Sequence, residues 1–213
     1  VEQSATRHPN PKCDTGTTAI TADIFDVVNN PEIDIVVELI GGYTLAKELV
    51  LKAIENGKHV VTANKALIAV HGNEIFAKAC EKGVIVAFEA SVAGGIPVIK
   101  AIREGLAGNR INWLAGIING TGNFILTEMR EKGRTFEDVL KEAQELGYAE
   151  ADPTFDVEGI DAAHKLTILA SIAFGIPLQF DKAYTEGIAR LTTADVNYAE
   201  ALGYRIKHLG VAR

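Results

Sequence analysis

Between residues 33 and 90 the chain alternates short apolar runs with helix-spaced segments, an order that few folds accept. "IDIVVELI" (33–40), "HVVTA" (59–63) and "VIVAFEA" (84–90) have the length and composition of strands buried in a parallel sheet. Between the first two, "TLAKELVLKAIENG" (44–57) places Leu45, Leu49, Ala53 and Ile54 on one helical face and offers Gly57 as a C-cap. "EIFAKACEKG" (74–83) repeats the helical pattern before the third run. Strand, helix, strand, helix, strand with right-handed crossovers makes an α/β layer. "ITADIFDVVNNPEI" (20–33) reads as a short helix and turn leading into it.

The texture changes after "SVAGGIPVI". Residues 97–107 have helical spacing, "NWLAGIING" reads as a strand entering a glycine turn, and residues 123–132 and 135–146 form two amphipathic patterns. A long apolar helix over 160–174 follows. The expected boundary lies near residue 90, giving a partial Rossmann-like nucleotide-binding domain at 1–89 and an α+β domain at 90–213. No repeats, low-complexity tracts or flexible linkers interrupt the chain.

Composition removes several classes. A net charge of −7 without a Lys/Arg cluster argues against nucleic acid or an anionic membrane as partner. Cys13 and Cys80 lie far apart, without zinc-type spacing, which fits a reducing compartment. No signal peptide opens the sequence and no apolar run is long enough to span a bilayer, so a cytoplasmic protein is expected. A G-x-G-x-x-G after the first strand, the usual dinucleotide fingerprint, is also missing. Either the fold does not bind nucleotides, or the chain is a fragment whose first β-α unit is left out. The opening "VEQSATRHP" reads as the tail of a strand.

The richest stretch is "GYAEADPTFDVEGIDAAHKLTILASIAFG" (147–175), where Glu150, Asp152, Asp156, Glu158 and Asp161 crowd the front of the long helix. At ~100° per residue, Asp161, Lys165, Ile168 and Ile172 share one stripe, and His164, Thr167 and Ser171 another. The small-polar stripe is the better candidate for solvent, with His164 a cap or surface residue, which turns Asp161 and Lys165 toward protein or a cleft. On spacing alone two readings stay open. One is an i,i+4 ion pair worth ~0.2–0.5 kcal/mol; the other is a lysine held by a carboxylate as a general acid or base.

Three further segments carry weaker signals. "VTANKALIA" (61–69) puts Lys65 just beyond a strand's carboxyl end, where open α/β sheets bind ligands, although a solvent loop would read the same way. In "FEASVAGGIPVI" (88–99), carbonyls could ring a cation beside Glu89, or the segment could simply turn between domains. "INGTGNFIL" (118–126) offers backbone amides and the Thr121 hydroxyl to a small polar ligand at a helix start.

Taken in order, "VELIGG", "HVVTANKALIA", "FEASVAGGIPVIKAIREGL", "GIINGTGNFILTEM" and "GYAEADPTFDVEGIDAAHKLTILA" resemble the successive motifs of the homoserine dehydrogenases, from about residue 20 to the end of the chain. The resemblance implies NAD- or NADP-dependent interconversion of L-homoserine and L-aspartate 4-semialdehyde, on the route to threonine and methionine. It implies Lys165 as proton donor to the carbonyl, Asp161 as its partner acid, and Glu150 as the carboxylate that grips the substrate's ammonium. Asp156 and the Gly120-Thr121 turn match the region that closes on the amino-acid end. Lys65 matches a lysine reaching both the nicotinamide end and the substrate, and Gly41 and Ala63 match positions against the cofactor. Glu89 with the carbonyls of Val92, Gly94 and Ile96 matches a monovalent-cation site, usually sodium, that stiffens the hinge between domains. Arg7 in "SATRHP" would hold the 2′-phosphate of NADP. The family also implies a mixed sheet in the second domain, pairing across the two-fold axis of a homodimer. Two departures stand out: the glycine fingerprint is absent, and the sequence stops at "GYRIKHLGVAR", before the stretch that completes both domains in the family. A truncated chain of this kind is expected to be inactive by itself. The competing readings are a related dehydrogenase with another substrate and a non-catalytic dimerisation or regulatory module.

Overall fold

The computed structural model describes residues 16–213, so Arg7 and Cys13 lie outside the described residues. The chain divides into two compact units, the first ending at Pro97 and the second beginning at Val98.

In the first unit α1 (Ile24–Asn29), β1 (Ile35–Glu38), α2 (Thr44–Glu55), β2 (His59–Thr62), α3 (Lys65–Lys82) and β3 (Val86–Ala87) follow one another. The three strands pair in parallel in the order β1-β2-β3, with Val36 beside Val60 and Val60 beside Val86. That line of valines meets Leu49, Val50, Ala53 and Ile54 of α2, Leu67, Ile75 and Ala79 of α3, and Val28 of α1. Ile54 is fully enclosed, and burial of a side chain of that size contributes about 1.5–3 kcal/mol.

Several expectations need correcting here. The strands are not covered on both faces: in β1, Val36 and Glu38 are buried while Ile35 and Val37 are 57% and 60% exposed. Apolar content alone cannot show this, because a continuous apolar run reads the same whichever face is covered. The third strand keeps only two residues before the chain tightens into a 3₁₀ turn at Glu89–Ser91. The second helix begins nine residues earlier than its periodicity suggests, with Lys65 as its first residue. Asn64, whose side chain accepts from Leu67 N–H, caps that start. The end of α2 follows the expectation: after Asn56, Gly57 takes a left-handed φ of 75° and Lys58 N–H reaches Ala53 O at 3.0 Å, closing the helix.

The second unit opens with α4 (Val98–Lys100), which widens into a five-residue π-helix, Ala101–Gly105. It continues through β4 (Leu114–Gly116), α5 (Gly120–Lys132), α6 (Phe136–Glu145), α7 (Thr154–Val157), α8 (Ile160–Phe174), α9 (Thr193–Ala201) and β5 (Gly210–Ala212). The mixed sheet expected here is represented, among the described residues, by an antiparallel pair, β4 with β5, in which Ala115 faces Val211. Ile125, Leu126 and Met129 of α5 pack with Phe136 and Val139 of α6, Val157 of α7 and Val196 of α9.

α8 departs from its expected orientation. His164 and Thr167 are buried, not solvent-facing, and Ser171 is half-buried with its hydroxyl on Ile176 O at 2.6 Å. The His164 ring lies between Phe155 and Phe180, at centroid distances of 6.0 and 4.4 Å. A helix apolar nearly all round is enclosed nearly all round, so neither polar stripe is a solvent face. α8 is preceded by its N-cap Gly159, whose φ of 81° is left-handed, and the His208 ring stands 3.0 Å from where a Cβ would be. Only glycine suits both constraints. No helix among the described residues is long and apolar enough to cross a membrane.

Candidate functional site

The second unit gathers five of the expected residues around the starts of α5 and α8. Lys165 and Asp161 sit one turn apart on α8, and their side chains are 19% and 8% exposed. Lys165 Nζ donates to Asp161 Oδ2 at 2.6 Å and to the carbonyl of Ile118 at 2.9 Å. An ammonium carries three N–H donors. Two are committed, which leaves one for a ligand among the described residues. With so little solvent around the pair, the ion contact is stronger than on a free surface, and both charges depend on their partners to be tolerated.

Asn119 joins these groups. It caps α5 by accepting from Gly122 N–H at 2.7 Å, and its amide donates to Asp156 Oδ1 at 2.8 Å and to Asp161 Oδ2 at 2.9 Å. Gly120 and Thr121 form the first turn of α5, and the Thr121 hydroxyl donates to Tyr148 O at 2.8 Å. This tie brings the α5 start to the segment carrying Glu150. The Glu150 side chain is exposed, while its own carbonyl accepts from Gln144 at 3.1 Å. Through Asn119 the cluster thus joins the Lys165 ammonium to the carboxylates of Asp161 and Asp156, with the exposed Glu150 on the neighbouring segment.

In the first unit, Gly41, Ala63 and Lys65 collect at the carboxyl ends of β1 and β2. A buried carboxylate organises them. Glu38, 1% exposed, accepts from Ile40 N–H at 2.7 Å and Gly41 N–H at 3.4 Å through Oε1, and from the Thr62 hydroxyl at 2.6 Å through Oε2. Thr62 Oγ1 accepts in turn from Asn64 N–H at 2.9 Å, and the Asn64 amide donates to Gly42 O. Ala63 N–H reaches Glu38 O at 3.4 Å. Since Asn64 caps α3, the network fixes the turn from which Lys65 projects. Gly41 and Gly42 have φ of 79° and 66°, and a Cβ on Gly42 would meet nothing within 4 Å. The strand end is therefore bare backbone beside the start of α3, at the carboxyl end of the strands where open α/β sheets bind ligands.

Glu89, Val92, Gly94 and Ile96 follow β3 in one short loop. Glu89 is half-buried, Ala93 takes a left-handed φ of 60°, and Ile96 N–H closes a turn on Ala93 O at 3.0 Å. Nothing lies within 4 Å of a Cβ placed on Gly94 or Gly95. Glu89 and the loop carbonyls are oxygen groups, the donor type that a hard cation takes. Among the described residues no group of three or more His, Cys, Asp or Glu gathers for a transition metal.

Reading residue by residue misses Asn119, Glu38, Thr62 and Asn64. Two signals were present: an Asn directly before a helical pattern is a cap with a second amide end to use, and one acid in the apolar run "IVVELI" must find donors or be expelled.

Comparison with known proteins places the chain in a family. Residues 97–212 match the homoserine dehydrogenase family, and residues 1–89 match the homoserine dehydrogenase NAD-binding domain. The homoserine dehydrogenase of Pseudomonas aeruginosa is 90% identical over 213 residues, covering 100% of this chain and 49% of that protein. That of Bacillus subtilis is 47% identical, with 91% and 45% of the two chains covered. The chain thus spans about half the length of the curated relatives it matches. A crystal structure of a homoserine dehydrogenase from Thiobacillus denitrificans superposes with a TM-score of 0.89 at 75% identity, over 91% of this chain and 45% of that one. A hyperthermophilic archaeal homoserine dehydrogenase in complex with NADPH gives 0.76 at 29% identity, over 92% and 57%. With a nucleotide-domain match, a second-domain match and close relatives along its whole length, the chain belongs to the homoserine dehydrogenase family.

Proposed function

We propose that these residues serve the NAD(P)-dependent interconversion of L-homoserine and L-aspartate 4-semialdehyde, the step that feeds threonine and methionine synthesis. The observation that carries the reading is Lys165, held by Asp161 and the Ile118 carbonyl with one N–H left over. A bound nicotinamide supplies the redox chemistry. Lys165 aims its remaining N–H at the substrate oxygen, offsets the charge that grows there, and delivers a proton when the aldehyde is reduced. In the oxidation direction Lys165 starts as the neutral amine and takes the hydroxyl proton, becoming the ammonium. Asp161 keeps the ammonium aimed. Glu150, exposed and anionic, suits the substrate ammonium, and Asp156 with Gly120 and Thr121 frames the amino-acid end.

In the first unit, Gly41, Ala63 and Lys65 would receive the nicotinamide end, and Arg7 would meet the 2′-phosphate of NADP. The archaeal relative's NADPH supports that cofactor class. Glu89 with the carbonyls of Val92, Gly94 and Ile96 would hold a monovalent cation such as sodium, neutralising the carboxylate and stiffening the loop. We assign residues 1–89 to cofactor binding and 90–213 to substrate binding and homodimerisation, in a cytoplasmic enzyme. The test is homoserine oxidation, followed through reduced nicotinamide with NAD⁺ and NADP⁺ in parallel, in the natural protein that contains these residues. Turnover that depends on homoserine and falls by ~10²–10⁴-fold in Lys165→Ala is expected. Turnover unchanged by Lys165→Ala removes the mechanism.

A further inference from the structure

We infer that Asn119 is a positioning residue for Lys165, acting through Asp161; the inference rests on the dehydrogenase reading above. Asn119 is 5% exposed and all three of its side-chain bonds go to parts of the site. Its Oδ1 must face Gly122 N–H, at 2.7 Å, because a backbone N–H can only donate. That settles which end is the amide nitrogen. Nδ2 then has two hydrogens and two carboxylates to meet, Asp156 Oδ1 at 2.8 Å and Asp161 Oδ2 at 2.9 Å. The same Asp161 Oδ2 accepts from Lys165 at 2.6 Å, and the residue before Asn119 supplies the carbonyl that is the second acceptor for Lys165. Both acceptors of the lysine are therefore tied to one residue, one through its side chain and one through its backbone.

The plain alternative is that Asn119 only caps α5. The two roles use different atoms. A cap needs one acceptor oxygen, which Asp, Ser or Thr provides as well as Asn. The bridge needs two N–H donors on one short side chain, which none of those three has. An aspartate would set a third carboxylate against two others, where like charges cannot all stay ionised.

Asn119→Ser and Asn119→Thr keep the cap and remove the bridge. Made in the natural protein containing these residues, they should stay folded under assay conditions, with the urea midpoint lowered by roughly 1–2 M for the two carboxylate bonds lost. They should also lower kcat for homoserine by about 10- to 100-fold, as misplacement of a catalytic group does, with KM for the nucleotide unchanged. Adding Lys165→Ala to Asn119→Ser should cost far less than Lys165→Ala costs alone, since groups acting as a unit are not additive. Retention of kcat within about threefold in a folded Ser or Thr variant overturns the inference. So does a double variant whose losses multiply. The ¹³Cε shift of Lys165 supplies a reading without turnover: it should move in Asn119→Ser, and an unmoved signal counts against the bridge. Absence of homoserine turnover in the wild type would sink the dehydrogenase reading, while the ¹³C comparison still decides the bridge.

Discussion

Replacing Thr62 with valine takes one oxygen out of the strand-end network and keeps the side chain's volume, so its consequence is almost wholly polar. Thr62 and Glu38 are both 1% exposed, and water cannot stand in for the hydroxyl. Two bonds disappear: the 2.6 Å bond donated to Glu38 Oε2 and the 2.9 Å bond accepted from Asn64 N–H. A hydrogen bond to a charged group contributes roughly 1.5–3 kcal/mol, and a buried donor left without a partner costs about 1–3 kcal/mol. The added methyl offsets under ~1 kcal/mol. The expected loss is therefore about 2–5 kcal/mol, a large part of the roughly 5–15 kcal/mol that holds a typical domain folded. Urea unfolding followed by circular dichroism should show the midpoint falling by roughly 1–2 M at an ordinary slope. Thr62→Ser, which keeps the hydroxyl, should lose much less. Adding Glu38→Gln to Thr62→Val should be clearly non-additive, because the two side chains share one network. A Thr62→Val protein within about 0.5 kcal/mol of wild type, or one no worse than Thr62→Ser, would refute the claim that Glu38 depends on this partner.

Lys165→Ala should reduce homoserine turnover by ~10²–10⁴-fold while leaving nucleotide affinity nearly unchanged; Asp161→Ala should be comparably impaired, and steady-state kinetics of both with the double variant should show losses that do not multiply. Gly159→Ala should destabilise the second unit by more than about 1 kcal/mol, since φ is 81° and the His208 ring is 3.0 Å from the new methyl; a thermal melt as high as wild type would contradict that geometry. His71 lies beside the Tyr43 ring, and burial, with the Lys47 charge second, lowers its pKa below the ordinary 6.5. The unfolded chain therefore binds more protons in the window just below 6.5, so stability should fall as pH drops from there through the lowered native value. His71→Gln should flatten that part of a pH-stability curve. Glu74, held low chiefly by its 2.8 Å bond to Lys47, acts only in a lower window, beneath its ordinary 4.5.

Local sequence carried a large share of this result, because periodicity and caps act within a few residues. The alternation from 33 to 87 specified a parallel α/β layer, and the positions of Val36, Val60 and Val86 follow from strand geometry once the runs are recognised. The i,i+4 spacing of Asp161 and Lys165 is likewise a helical fact, and it places the ion pair without any tertiary contact. What spacing could not decide was the surroundings. The same Asp-Lys pair on a wet helix would be a minor surface bridge; the Ile118 carbonyl, 47 positions away in sequence, makes it a held ammonium. Polarity usually marks the wet side, which points His164 and Thr167 to solvent, yet both are buried, and the His164 ring meets Phe155 and Phe180 from other segments. Glu38 and Asn119 show the same limit. Each looked like a single polar residue in a strand or turn, and each became a junction only when chain segments 24 and 42 residues away closed around it. Helices and strands are set by neighbours along the chain, whereas a buried polar group takes its meaning from whichever distant donors and acceptors the fold brings within 3 Å.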